Sequence, residues 1–227
     1  MATILRNQVG LLAIALMLSI SSSVAADDHA ENQSSGQTFQ AVDVFRLPPG
    51  EPLDLTGAAW LKRSKQGFTG RIMTKVDKAG YAYTIWLVIF NNPDACEDGC
   101  NDMDLGNPDV KGAVFYGNGA ISSYDPVNGG GVINVDFDTI AAKIPEGMFR
   151  LDDLLEEPIF YREGLARGNG FGAEVHIVVD EHPGPVETGL ESWVPDLTTT
   201  NFPEPRPPGT PTLNAVNVAA AMFPPVD

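Results

Sequence analysis

Residues 68–90 read FTGRIMTKV, then DKAG, then YAYTIWLVIF, and this stretch decides the fold. In the first part Phe68, Ile72 and Val76 fall on one side, Thr69, Arg71 and Lys75 on the other. That period of two marks a half-buried strand, because successive side chains of an extended chain point to opposite faces. Asp77-Lys78-Ala79-Gly80 is a turn signal. Tyr81–Phe90 then places Tyr81, Tyr83, Ile85, Leu87 and Ile89 on one face and Trp86, Val88 and Phe90 on the other. Both faces are apolar, so this strand is expected to lie centrally and be covered on both sides. With a turn between them, the two strands are expected to form a hairpin.

The alternation recurs along the chain. Val132–Asp138 turns Ile133, Val135 and Phe137 inward and Asn134 and Asp136 outward. Ala173–Asp180 sets Val175, Ile177 and Val179 against Glu174, His176, Val178 and Asp180. Gly112–Ile121, Thr38–Phe45 and Gly57–Arg63 are further strand candidates. Helical spacing is found at Arg150–Glu157, through Leu151, Leu154 and Leu155. Several strands, glycine-rich turns and little helix predict an all-β chain: an antiparallel β-sandwich or barrel with one short helix.

The ends differ from this middle. Residues 1–26 have the layout of a secretory signal peptide: Arg6, an apolar run from Leu11 to Ile20, and Val24-Ala25-Ala26 before Asp27. The run of about 10 residues is far short of the roughly 20 that span a bilayer. Residues 27–37 are polar and read as a disordered linker. Residues 38–194 form the β-rich domain, and residues 195–227 a proline-rich C-terminal strap whose apolar Val216–Phe223 is expected to dock on the domain. Without residues 1–26, 13 Lys and Arg face 30 Asp and Glu, a formal charge of −17. Such a surface repels nucleic acid and anionic lipid. The expected compartment is the periplasm or the extracellular space, with no membrane anchor in the mature chain, and an extracytoplasmic protein or a cation as partner.

Cys96 and Cys100 are the chain's two cysteines. In an oxidising compartment such a pair reads as an intramolecular disulfide. Their loop is also the most acidic part of the chain, with Asp94, Glu97, Asp98, Asp102, Asp104 and Asp109 close together. Oxygen ligands on a stapled loop suit Ca²⁺, which makes Asp98, Asp102, Asp104 and Asp109 candidate metal ligands, although the EF-hand spacing is missing. A solvated acidic loop is the other reading of the same residues.

A second candidate site lies in Glu174, His176, Asp180 and His182. Two histidines among carboxylates invite a metal reading. However, His176 and His182 on one extended strand stand about 20 Å apart, so neighbouring strands would have to complete the site. No Gly-x-Ser-x-Gly, H-E-x-x-H or phosphate-cradling loop appears.

The block Ala82–Pro93 (AYTIWLVIFNNP) with Cys96 and Cys100, followed by Ala173–Val179 (AEVHIVV) and His182, resembles a group of uncharacterised exported bacterial proteins. These carry an aYTxWxvxFNNP…C…C block and a later AEVHLVxxxHGP block. The resemblance covers about residues 56–185 and departs at His182-Pro183-Gly184-Pro185, where a proline follows the histidine. The His-Ile pair in an apolar strand is more distantly similar to chordin-type (CHRD) domains. The first resemblance implies an exported protein, and the second a β-rich fold. The expected role is a non-catalytic binding or structural module, with calcium as its candidate stabiliser. The alternative is a metal-dependent enzyme built on His176 and nearby carboxylates.

Overall fold

The computed structural model describes residues 36–50, 52–140, 164–185 and 216–226. Among these residues, nine strands form one antiparallel sheet: β1 (Gln37–Arg46), β2 (Leu55–Ser64), β3 (Gly67–Val76), β4 (Tyr81–Phe90), β5 (Gly112–Ile121), β6 (Ser123–Tyr124), β7 (Gly131–Ile140), β8 (Glu174–Pro185) and β9 (Val216–Phe223). Their order is β5-β4-β8-β9-β1-β2-β3-β7-β6. The predicted all-β class is what is found; the helix expected at Arg150–Glu157 lies outside the described residues.

The sheet is rolled. One face of every long strand feeds a single apolar cluster, including Val44, Leu61, Ile72, Ile85, Leu87, Val135, Ile177 and Phe223. A flat sheet could not bring β1, β3, β5 and β8 to one core. The edges approach between β5 and β7, where Asn118 Nδ2 donates to the Asp136 carbonyl at 2.6 Å. No β5–β7 ladder forms, so the roll is barrel-like but not closed. The alternation in β3, β4, β7 and β8 matches burial: Phe68, Ile72 and Val76 are inward, as are Tyr83, Ile85, Leu87 and Ile89.

The expected 68–76/81–90 hairpin is corrected. β3 pairs with β2 and β7, and β4 pairs with β5 and β8. The link at 77–80 is held by residues other than a ladder partner. The Lys78 carbonyl accepts from Ser122 Oγ (2.7 Å) and lies 3.2 Å from Tyr83 Oη, and the Gly80 N–H donates to the Ser122 carbonyl (2.9 Å). Both edges of β3 are already taken, Val76 standing opposite Gly131 of β7. The chain therefore crosses the barrel end instead of doubling back. The register cue was real, but a turn signal says only that the chain bends, not which strand it meets.

The segment Val216–Phe223, read as part of a docked strap, is an inner strand, hydrogen-bonded to β8 along most of its length. Its pairing with β1 is short: Phe45 opposite Ala220 and Arg46 opposite Ala219. Beyond that point β1 and β9 part, and Arg63 fills the gap. This fully buried guanidinium donates to Gln40 Oε1 and to the carbonyls of Gly170 (3.1 Å), Ala173 (2.7 Å), Phe223 (3.2 Å) and Pro224 (3.0 Å). Burial lowers its pKa to about 10, offset in part by the Glu174 charge. Gly170 is required here, since a Cβ would sit 1.8 Å from the Ser64 carbonyl. The opposite end is closed by Tyr83, whose Oη donates to Glu181 Oε2 (2.9 Å), while Lys78 pairs with Glu181 Oε1. Desolvation and the Glu181 charge push the Tyr83 pKa up.

Candidate functional site on the outer wall

The two sequence blocks that carry the resemblance are neighbouring strands. In the β4–β8 ladder, Val88 stands opposite His176, Trp86 opposite Val178 and Thr84 opposite Asp180. All six point to the outer side of the roll, away from the apolar cluster. Glu174 Oε1 accepts from His176 Nε2 at 2.6 Å, and the imidazole sits edge-on to Phe90 at 4.9 Å. Farther along, Thr84 Oγ1 is 3.0 Å from His182 Nε2. Glu174 and His176 thus form one pair, and His182 joins Thr84 instead of His176. Glu181, next in sequence, turns inward to Tyr83.

Asp180 is the unusual member. Its Oδ1 is buried with no hydrogen-bond partner among the described residues. The residue as a whole retains some exposure, but Oδ1 does not. Desolvation raises its pKa to about 7. Thr84, His176 and His182 are themselves buried, so this face resembles a polar inlay within an apolar surface more than an open cleft.

The FNNP segment is an anchor. Asn91 Nδ2 donates to the carbonyls of Lys111 and Gly164, both at 2.8 Å, and its Oδ1 accepts from the Ala166 N–H at 2.6 Å. The Asn91 carbonyl accepts from Asn169 Nδ2 at 2.6 Å. One buried amide thereby joins the end of β4, the start of β5 and the 164–169 loop. The Cys96–Cys100 disulfide follows, with Cα atoms 5.2 Å apart, and Cys100 packs with Phe90 and Val110.

The acidic loop is organised by its own backbone. In the 3₁₀ turn Asp102–Gly106, Asn101 Oδ1 accepts from the Met103 N–H and Asp104 Oδ2 accepts from the Asn101 N–H, both at 2.9 Å. Asp98 and Asp109 are exposed, while Asp102 and Asp104 are half-buried. Among the described residues, no group of three or more His, Cys, Asp or Glu side chains is arranged to hold a metal ion. That statement covers both sets, Asp98/Asp102/Asp104/Asp109 and Glu174/His176/Asp180/His182.

A concavity of about 540 Å³ opens elsewhere, on the outer wall of β1, β2, β3 and β7 beside the β5 seam. Phe39, Trp60, Lys62, Thr69, Arg71 and Asp136 line it. Phe39 is 72 % exposed and Trp60 39 %. The ladder sets Phe39 opposite Lys62, Trp60 opposite Arg71, and Arg71 opposite Asp136. Lys62 Nζ lies 5.5 Å from the Phe39 ring centroid, and Arg71 grips Asp136 through Nε–Oδ1 (2.6 Å) and Nη2–Oδ2 (2.9 Å). That pair raises the Arg71 pKa and lowers that of Asp136. Behind the wall Gly70 makes room for the core: a Cβ there would lie 2.4 Å from the Phe137 ring and 2.5 Å from the Trp60 carbonyl.

The candidate residues chosen from the sequence did not include this wall. The available signal was an aromatic ring at an outward position of an alternating strand. Trp60 and Phe39 both meet that description, and both point away from the core. Comparison with protein-family models, with curated proteins and with solved structures finds no match.

Proposed function

We propose that this chain is an exported, non-catalytic binding module that meets its ligand on the outside of the barrel, at the wall formed by Phe39, Trp60, Lys62 and Arg71. The observation that carries the proposal is the contrast between inside and outside. The inward side chains fill the lumen as one cluster, and Arg63 and the Tyr83–Glu181 pair occupy its two ends. A small β-barrel filled in this way has no room for a guest. The roomy concavity lies outside, and large exposed aromatics on a soluble β-surface are a recurrent mark of interaction sites. Its side chains include no nucleophile with an adjacent base, the pairing that covalent catalysis uses.

Export is part of the same proposal. It is supported by the signal-like residues 1–26 and by a disulfide, which suits an oxidising compartment. The likeness of the β4 and β8 blocks to exported bacterial proteins points the same way. The metal-dependent alternative would need ligands converging around His176. The Glu174–His176 pair is a hydrogen bond within one strand face.

A thermal-shift panel of soluble oligosaccharides, amino acids and small organic anions tests the binding claim. A ligand of the native state raises the melting temperature by mass action. At least one class should shift the wild type, and Trp60→Ala should abolish the shift. A panel that shifts nothing, or a shift that persists in Trp60→Ala, would overturn the proposal.

A further inference from the structure

Resting on that reading of the outer wall, we infer that its ligand is an acidic oligosaccharide, a chain of pyranose rings bearing carboxylates. One open groove holds aromatic rings, cations and fixed polar groups together. Trp60 and Phe39 are diagonal neighbours across β1 and β2, since Phe39 stands opposite Lys62 and Trp60 lies two residues before it. Such diagonal pairs are about 7–8 Å apart, so the two rings are neighbours on one wall. Flat apolar platforms suit the C–H faces of sugar rings, which are themselves amphipathic. A purely apolar ligand would instead be expected in an enclosing pocket.

The polar groups beside the rings fit the same guest. Arg71 and Asp136 hold each other in a bidentate pair, and the Asn118 amide is tied to the Asp136 carbonyl. Donors and acceptors fixed before the ligand arrives lose little entropy when they hydrogen-bond to ring hydroxyls. Arg71 Nη1 has no hydrogen-bond partner among the described residues and remains available as a donor.

Charge selects the acidic form. The whole chain carries −16, yet the groove holds two cations, Lys62 and Arg71, against one carboxylate, Asp136. Lys62 forms no ion pair among the described residues; its ammonium lies over the Phe39 ring. A carboxylate on the sugar seated against Phe39 would meet that ammonium. The remaining acidic surface repels polyanions that extend beyond the groove, nucleic acids among them.

Isothermal titration of the full mature chain with tetragalacturonate tests the inference, with cellotetraose as neutral comparator and a tetraglutamate peptide as the anion without a ring. Lys62 and Trp60 point outward, so their variants keep the core; circular dichroism checks this. Tetragalacturonate should bind, cellotetraose should bind about 10-fold more weakly, and tetraglutamate should not compete. Lys62→Gln should cost about 10-fold and erase the preference for the acidic sugar, while Trp60→Ala should cost about 30-fold or more for both sugars. Equal binding of the two tetrasaccharides, competition by tetraglutamate, or no binding of tetragalacturonate would each overturn the inference. If another class in the thermal panel shifts the wild type through Trp60, the outer-wall reading survives and only the acidic-sugar assignment fails. If nothing does, both fail.

Discussion

Thr84 on β4 and Asp180 on β8 are cross-strand partners, and the threonine hydroxyl lies 3.0 Å from His182 while an oxygen of Asp180 is buried with no partner among the described residues. Two adjacent polar positions on one face thus have opposite fates. The hydroxyl finds an imidazole, whereas the carboxyl group is desolvated and its pKa rises to about 7.

That difference has a pH signature. A carboxyl group whose folded pKa is raised holds its proton in the native state after the unfolded chain has released it. Stability therefore falls as pH rises from about 4 to about 7, by up to about 1.4 kcal/mol per pH unit, and levels off above. Asp180→Asn removes this dependence. Urea melts from pH 4 to pH 8 should show the variant gaining on the wild type through that window. A difference that does not change with pH would contradict the assignment.

Asn91 is expected to be the least replaceable side chain of the FNNP segment. Removing its amide leaves the carbonyls of Lys111 and Gly164 and the Ala166 N–H without their partner. Each buried polar group left unmet costs about 1–3 kcal/mol. Asn91→Ala should therefore lose several kcal/mol in equilibrium unfolding. Asn91→Asp should do no better, because its carboxylate would face two carbonyl oxygens. A loss below about 1 kcal/mol in the alanine variant would mean that water replaces the amide.

Arg63 bridges the parting between β1 and β9 through four carbonyls and Gln40. Arg63→Met keeps much of the volume and removes every donor, so a loss of about 3 kcal/mol or more is expected. Arg63→Lys should fall between, since one ammonium cannot reach as many acceptors as a planar fork. Hydrogen exchange should locate the damage in β1 and β9. A methionine variant as stable as the wild type would show that apolar packing alone closes the gap.

The Cys96–Cys100 bond closes a very short ring. The chain-entropy relation gives about 2 kcal/mol for so small a loop. The double variant Cys96→Ser with Cys100→Ser should lose no more than this and should open the 93–110 segment locally. A chain that no longer folds would give the disulfide a larger role than its ring size allows.

Much of the fold was legible because burial on one face of a strand writes itself into the sequence as a period of two. Phe68, Ile72 and Val76, or Val175, Ile177 and Val179, point inward as that period requires. Pairing was less legible: Asp77–Gly80 looks like a hairpin turn, yet its backbone is held by Ser122. The strand β9 was obscured by the prolines before it and by its small Ala219–Ala221 run. Arg63 reads as the polar end of a strand, and only the parting of β1 from β9 gives it a buried role. The density of acidic residues at 94–109 was visible, but convergence depends on turns that point Asp98 and Asp109 outward. Phe39 and Trp60 were there to be found, at outward positions where period-two strands ordinarily carry polar side chains.

The most direct measurement for the outer-wall claim is amide NMR of the isotope-labelled mature chain titrated with a small-fragment library. Binding at the wall should move the resonances of residue 39 together with those of 58–62, 69–71 and 136–137, with those of 84–86 and 174–182 unmoved. Perturbations confined to 84–86 and 174–182, with residues 39 and 60 silent, would contradict the claim and return the search to the Thr84–Asp180–His182 face.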